Sequence, residues 1–142
     1  MASQTPNVFT YPRSEPGTTG HLDLVEPLRT LPKQLAETVR GIADAQARIK
    51  PGEGEWCLKE IVGHLRDDAE MVHKRLYMMS TQTDPVLDPY DQDELAREHN
   101  YIERDVGEML GELAEHRSRS VYLLTTLVNW NWARTGQLPS SV

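Results

Sequence analysis

Between Trp56 and Met79 the apolar side chains return at helical spacing. Leu58, Ile61, Val62, Leu65, Ala69, Val72, Leu76 and Met79 fall at i, i+3, i+4, i+7, i+11, i+14, i+18 and i+21. At about 100° per residue they lie within roughly 60° either side of Leu58, which predicts one amphipathic helix of about six turns. Lys59, Glu60, Arg66, Asp67 and Lys74 fall on the opposite face, where they are expected to meet solvent. His64 stands at the edge of the stripe, one turn before Asp68. That spacing suits a metal ligand with an orienting carboxylate, and equally an ordinary flank residue.

A second stripe, Leu24, Leu28, Leu31, Leu35, Val39 and Ile42, predicts a helix over about 25–43, with Asp23 as N-cap and Pro27 in its first turn. Pro32 lies inside the pattern and predicts a kink, or a start delayed to about Leu31. Residues 44–55 contain Pro51, Gly52 and Gly54 and read as a connection with at most one helical turn. Trp56 reads as a packing anchor at the next helix entrance. Pro85 and Pro89 end that helix, and Asp91 with Glu94 caps a short one over 91–100. Asp105 with Glu108 caps a long helix over 106–129, striped by Met109, Leu110, Leu113, Val121, Leu124, Leu127 and Val128.

Arg117 and Ser120 interrupt this last stripe, and His116 lies at its edge. A polar group within an apolar seam needs a partner when buried. Arg117 is therefore a candidate for a buried pair with a carboxylate or for an anion contact, beside the plainer reading of a snorkelling arginine. The predicted fold class is all-α, an up-down helical bundle with crossings of about 20°. Its expected core is Leu28, Leu31, Leu35, Val39, Ile61, Leu65, Ala69, Val72, Leu76, Leu110, Leu113, Val121 and Leu124.

The length of 142 residues suits one helical domain, 21–142, preceded by an extended arm, 1–20, that holds Pro6, Pro12 and Pro16. His21, at the join, is read as solvated. A net charge of −7, with basic residues dispersed, argues against nucleic acid as a partner. No apolar run is long enough for a membrane span and no signal-like segment opens the chain, so a cytoplasmic protein is expected. Cys57 is the one cysteine and reads as a buried structural residue. Asp88, Asp91, Asp93 and Glu94 lack the spacing of a calcium loop.

Gly54-Glu55-Trp56-Cys57-Leu58-Lys59-Glu60, Gly63-His64-Leu65, Tyr90-Asp91-Gln92-Asp93 and Trp132-Ala133-Arg134-Thr135-Gly136 occur in this order. In order and spacing they resemble the DinB-like superfamily of helical bundles, over about residues 24–138. The resemblance implies a divalent metal, zinc or nickel, held by three histidines, and maps His64 onto the first of them. The family's other two come from a His-x-x-x-His pair on a last helix. This chain has no such pair, and its final residue, Val142, stands where that helix is expected to begin. His21, His73, His99 and His116 match no family ligand position.

Two functions follow as expectations. In the first, the bundle has an incomplete or lost metal site, works as a binding or assembly module and binds metal weakly. In the second, it is a metal-dependent hydrolase or thiol transferase acting on an unknown small molecule, with ligands beyond His64 supplied by another subunit or by further sequence. A bundle short of a helix also exposes a long apolar groove. The arm with Phe9 and Tyr11, or the tail 130–138, covers part of it, and a homodimer is expected to cover the rest.

Overall fold

The computed structural model describes residues 20–127 and 132–139. The expected docking of Phe9 and Tyr11 and the helix end near Trp130 lie outside them. In chain order the elements are α1 (Gly20–Val39), α2 (Asp44–Ala47), α3 (Leu58–Thr81), α4 (Gln92–His99), a 3₁₀ turn (Tyr101–Glu103) and α5 (Val106–Thr126). A lone parallel bridge, Val86 to Gln137, is the only extended pairing among the described residues. The fold is all-α.

Helix α1 starts at Gly20, earlier than the sequence suggests, and contains both Pro27 and Pro32. Asp23 is therefore a first-turn residue and not the N-cap. Each interior proline removes one helical hydrogen bond. Burial of Pro32 and of Val25, which packs with Val121 and Leu124 of α5, offsets that loss through tertiary contact. The caps of α4 and α5 form where expected. Asp91 accepts from Asp93 N at 3.0 Å and Glu94 N at 3.2 Å, and Asp105 accepts from Glu108 N at 2.9 Å. Cys57, fully buried, is the N-cap residue of α3, and its N–H donates to Glu60 Oε1 at 3.1 Å.

Helix α5 is the hub. It packs against both α1 and α3, while α1 and α3 scarcely meet. Three helices so arranged leave α1 and α3 without close packing on each other among the described residues. Two expected core residues are not buried. Leu31 of α1 is 40% exposed and Ile61 of α3 is 44% exposed, although both lie in their helices' apolar stripes. Leu28, Leu35, Val39, Leu65, Val72 and Leu76 are partly buried, and Ala69, Leu110, Leu113, Val121 and Leu124 are buried.

The opposite face of α3 departs further from expectation. Lys59 and Asp67 are 1% and 3% exposed. Helix α4 and the 3₁₀ turn lie over that face. Lys59 Nζ donates to Asp44 Oδ1 at 2.6 Å, fixing α2 to α3. Its hydrogen bond, with one from Arg48, holds the Asp44 carboxyl below its ordinary pKa.

The segment 132–139 returns beside residues 85–87, with Leu87 N donating to Gln137 O and Gln137 N to Pro85 O, both at 2.8 Å. Arg134 Nε donates to Met79 O at 2.6 Å, and its Nη2 donates to Gln82 O at 2.7 Å. A guanidinium here satisfies carbonyls that the end of α3 leaves without helical partners. Gly136 lies against Met79 and Leu87, where an added Cβ would stand 3.0 Å from Met79 Cγ. The Trp-x-Arg-x-Gly residues thus close the C-terminal end of α3.

Candidate metal centre

His64 lies in the middle of α3's first half and is partly exposed. Its ring packs against Trp56, with centroids 5.3 Å apart and planes at 58°. Trp56 is therefore an anchor for the histidine as well as for the helix entrance. Among the described residues no hydrogen bond or ion pair engages the His64 ring. Asp68, one turn on, accepts from Arg117 Nη2 of α5 at 3.3 Å instead of orienting the imidazole. Arg117 is 9% exposed, so the sequence reading of a buried arginine–carboxylate pair holds.

The remaining histidines sit apart from His64. His73 of α3 and His116 of α5 face one another across the helix interface. His73 Nδ1 lies 3.3 Å from Ser120 Oγ, and the buried His116 Nδ1 meets no partner. His99, at the end of α4, has Nδ1 2.8 Å from Asp67 Oδ2. No group of three His, Cys, Asp or Glu side chains among the described residues is placed to hold a metal ion. A cavity of about 730 Å³ between α1 and α5 is lined by Leu28, Pro32, Ala36, Leu110, Ala114 and Val121 among others, and by no histidine.

Burial, and then the positive charges of each other's surroundings, lower both interface histidines. His116 and Arg119 act on His73, and Arg66 and Arg119 on His116, where Glu70 and Glu115 oppose them. A histidine whose folded pKa lies below its unfolded value near 6.5 takes up its proton first in the unfolded state. Its folded, neutral form is favoured above that pH and loses ground as the pH falls through it. The melting temperature is therefore expected to drop between about pH 7.5 and about pH 5.5, above the carboxylate range. His73→Gln and His116→Gln should each flatten that slope in scanning calorimetry, and a slope unchanged in both variants contradicts the assignment.

Sequence reasoning missed the densest polar network. Asp67 accepts from Tyr101 OH, from Arg66 Nη1 at 2.9 Å and from His99 Nδ1. Arg66 continues to Glu70 and, through Nε at 2.9 Å, to Glu112 of α5, which Arg104 also grips. The Arg104 hydrogen bond, with Arg66 behind it, outweighs burial and holds the Glu112 carboxyl below its usual range. Burial, and then the Asp67 hydrogen bond, push the Tyr101 hydroxyl far above its ordinary pKa. The one available signal was a His at the end of a short capped helix and a Tyr just past it, which says nothing of the partner.

The chain is similar to known proteins along most of its length. A family model described as the DinB superfamily matches residues 28–141. Two curated relatives carry the name "Putative metal-dependent hydrolase". OB0782 of Oceanobacillus iheyensis is 29% identical over 77 residues, 54% of this chain and 45% of its own. YfiT of Bacillus subtilis is 26% identical over 110 residues, 78% of this chain and 62% of its own. The chain thus spans about half to three-fifths of the length of these relatives. The solved structure of Bacillus subtilis YfiT, described as a probable metal-dependent hydrolase with an unusual four-helix bundle topology, superposes with a TM-score of 0.82 at 24% identity. It covers 92% of this chain and 74% of that one.

Proposed function

This chain belongs to the DinB superfamily, and we propose that His64 is the one ligand its described residues bring to a divalent-metal site. The observation that carries the reading is the environment of α3 at that point. The imidazole is partly open and steadied by Trp56, and no hydrogen bond from the described residues occupies it. Asp68, one turn on, is committed to Arg117. A stable protein site for zinc or nickel takes three or four ligands, and the described residues do not assemble them. By themselves they form a binding bundle, not a complete hydrolase centre. Hydrolase chemistry of the kind the relatives' names state waits on ligands brought by further polypeptide or by a second copy. Leu31 of α1 and Ile61 of α3, both exposed, favour a homodimer that buries them; light scattering at micromolar concentration reads the mass directly.

Calorimetric titration of the 142-residue chain with zinc chloride tests the ligand. The expected dissociation constant is weaker than about 10 μM, and His64→Ala is expected to abolish the heat. Stoichiometric zinc that survives dialysis and persists in His64→Ala removes His64 from the site.

A further inference from the structure

A second cavity, about 550 Å³, lies between α3 and the segment 88–99. Its volume is that of a small-ligand pocket. Arg66, Asp67, Arg75, Tyr90 and His99 line it together with apolar side chains, Met71 and Leu95 among them. His64 does not.

The polar groups there are unequally satisfied. Arg66 and Arg104 are neutralised by carboxylates on α3 and α5. Lys74, at the exposed mouth, lies 3.3 Å from Glu70. Arg75 is different. Its Nη2 donates to the main-chain oxygen of Asp88 at 3.0 Å, and among the described residues no carboxylate forms an ion pair with it. Among the described residues its buried Nε meets no acceptor, and neither does the buried hydroxyl of Tyr90. Burial, with Asp68 and Asp67 nearby, pushes that hydroxyl up to about 12, so it stays protonated and keeps a proton to donate. His99 Nδ1 is tied to Asp67, which leaves Nε2 as the ring's other polar atom.

Two buried donors without acceptors are uncommon, and a half-buried guanidinium without a counter-charge is costly. One group answers both. A carboxylate brings two acceptor oxygens and a single negative charge, which would answer both donors once the Arg75 and Tyr90 side chains turn to meet it. The methionine and leucine walls suit an apolar body behind it. We propose that this cavity binds a small monocarboxylic acid, its carboxylate on Arg75 and Tyr90 and its apolar part against Met71 and Leu95, with His99 beside it.

The test is a two-dimensional NMR titration of the full chain, kept in EDTA so that no metal at His64 contributes, with sodium benzoate as probe. Benzoate is expected to shift the His99 imidazole and Tyr90 ring signals saturably, with a dissociation constant of about 1 mM or below. Benzamide, the uncharged analogue, is expected to bind at least about tenfold more weakly, and Arg75→Met to weaken benzoate by about tenfold or more. Tyr90→Phe, which removes one unpartnered oxygen, should weaken it by a smaller factor while the fold is kept, and it decides the matter should Arg75→Met fail to fold. No saturable shift, equal binding of benzamide, tighter binding of inorganic phosphate, or unaltered binding in the folded variants overturns the proposal.

Discussion

Gly63→Ala is expected to lower the melting temperature of the chain by about 10 °C, corresponding to about 3 kcal/mol. Alanine is the better helix former by about 1 kcal/mol, so an exposed helical glycine usually gains from this change. Gly63 cannot. It is buried in α3, and a methyl built on it would overlap Cγ and Cδ1 of the Tyr101 ring and stand 2.8 Å from Tyr101 Cβ. The ring cannot back away cheaply, because Tyr101 is 3% exposed, packs with Val62, Met109 and Leu110, and is held at its hydroxyl by Asp67. Overpacking is relieved only by lifting the 3₁₀ turn off the helix. Gly111→Ala in α5 is the internal control. Nothing lies within 4 Å of its added methyl, so that variant is expected to gain about 0.5–1 kcal/mol. Thermal melts by circular dichroism check both, and a Gly63→Ala protein at least as stable as Gly111→Ala would show that the contact is not close in solution.

Asp67→Asn is expected to cost about 3 kcal/mol, which a urea melt reads as a fall in midpoint at constant slope. The change removes little volume, so packing does not explain the loss. The carboxylate receives three donors, from Tyr101, Arg66 and His99. An amide offers one acceptor oxygen and turns an N–H₂ toward a donor, leaving a buried group unmatched. Tyr101→Phe should cost less, about 1 kcal/mol, because it removes one donor and leaves two. The double variant should fall short of the sum, since both substitutions break the same bond. Full additivity would mean that Asp67 and Tyr101 do not act on each other.

The long helices are legible in the sequence because periodicity is a local property. The end of α3 at Thr81, two residues past Met79, and the caps at Asp91 and Asp105 depend only on neighbours within one turn. Arg117 was legible for a related reason: an arginine inside an apolar stripe needs a partner, whatever the fold. Only the tertiary structure decided which way α3 faces. Its stripe predicts Ile61 inside and Lys59 and Asp67 outside, and the structure exposes Ile61 and buries the other two. A helical wheel counts polar and apolar groups on one helix, whereas burial depends on what packs over each face. For Asp67 that cover comes from His99 and Tyr101, 32 and 34 residues further along the chain, and no spacing within α3 carries information about them. The same holds for Gly63, which the sequence marks as part of a motif and the structure explains as the seat of a tyrosine ring. His64 could be placed on its helix from the sequence, but the committed partner of Asp68 sits on another helix, 49 residues away, and that pairing was fixed by how α3 and α5 pack.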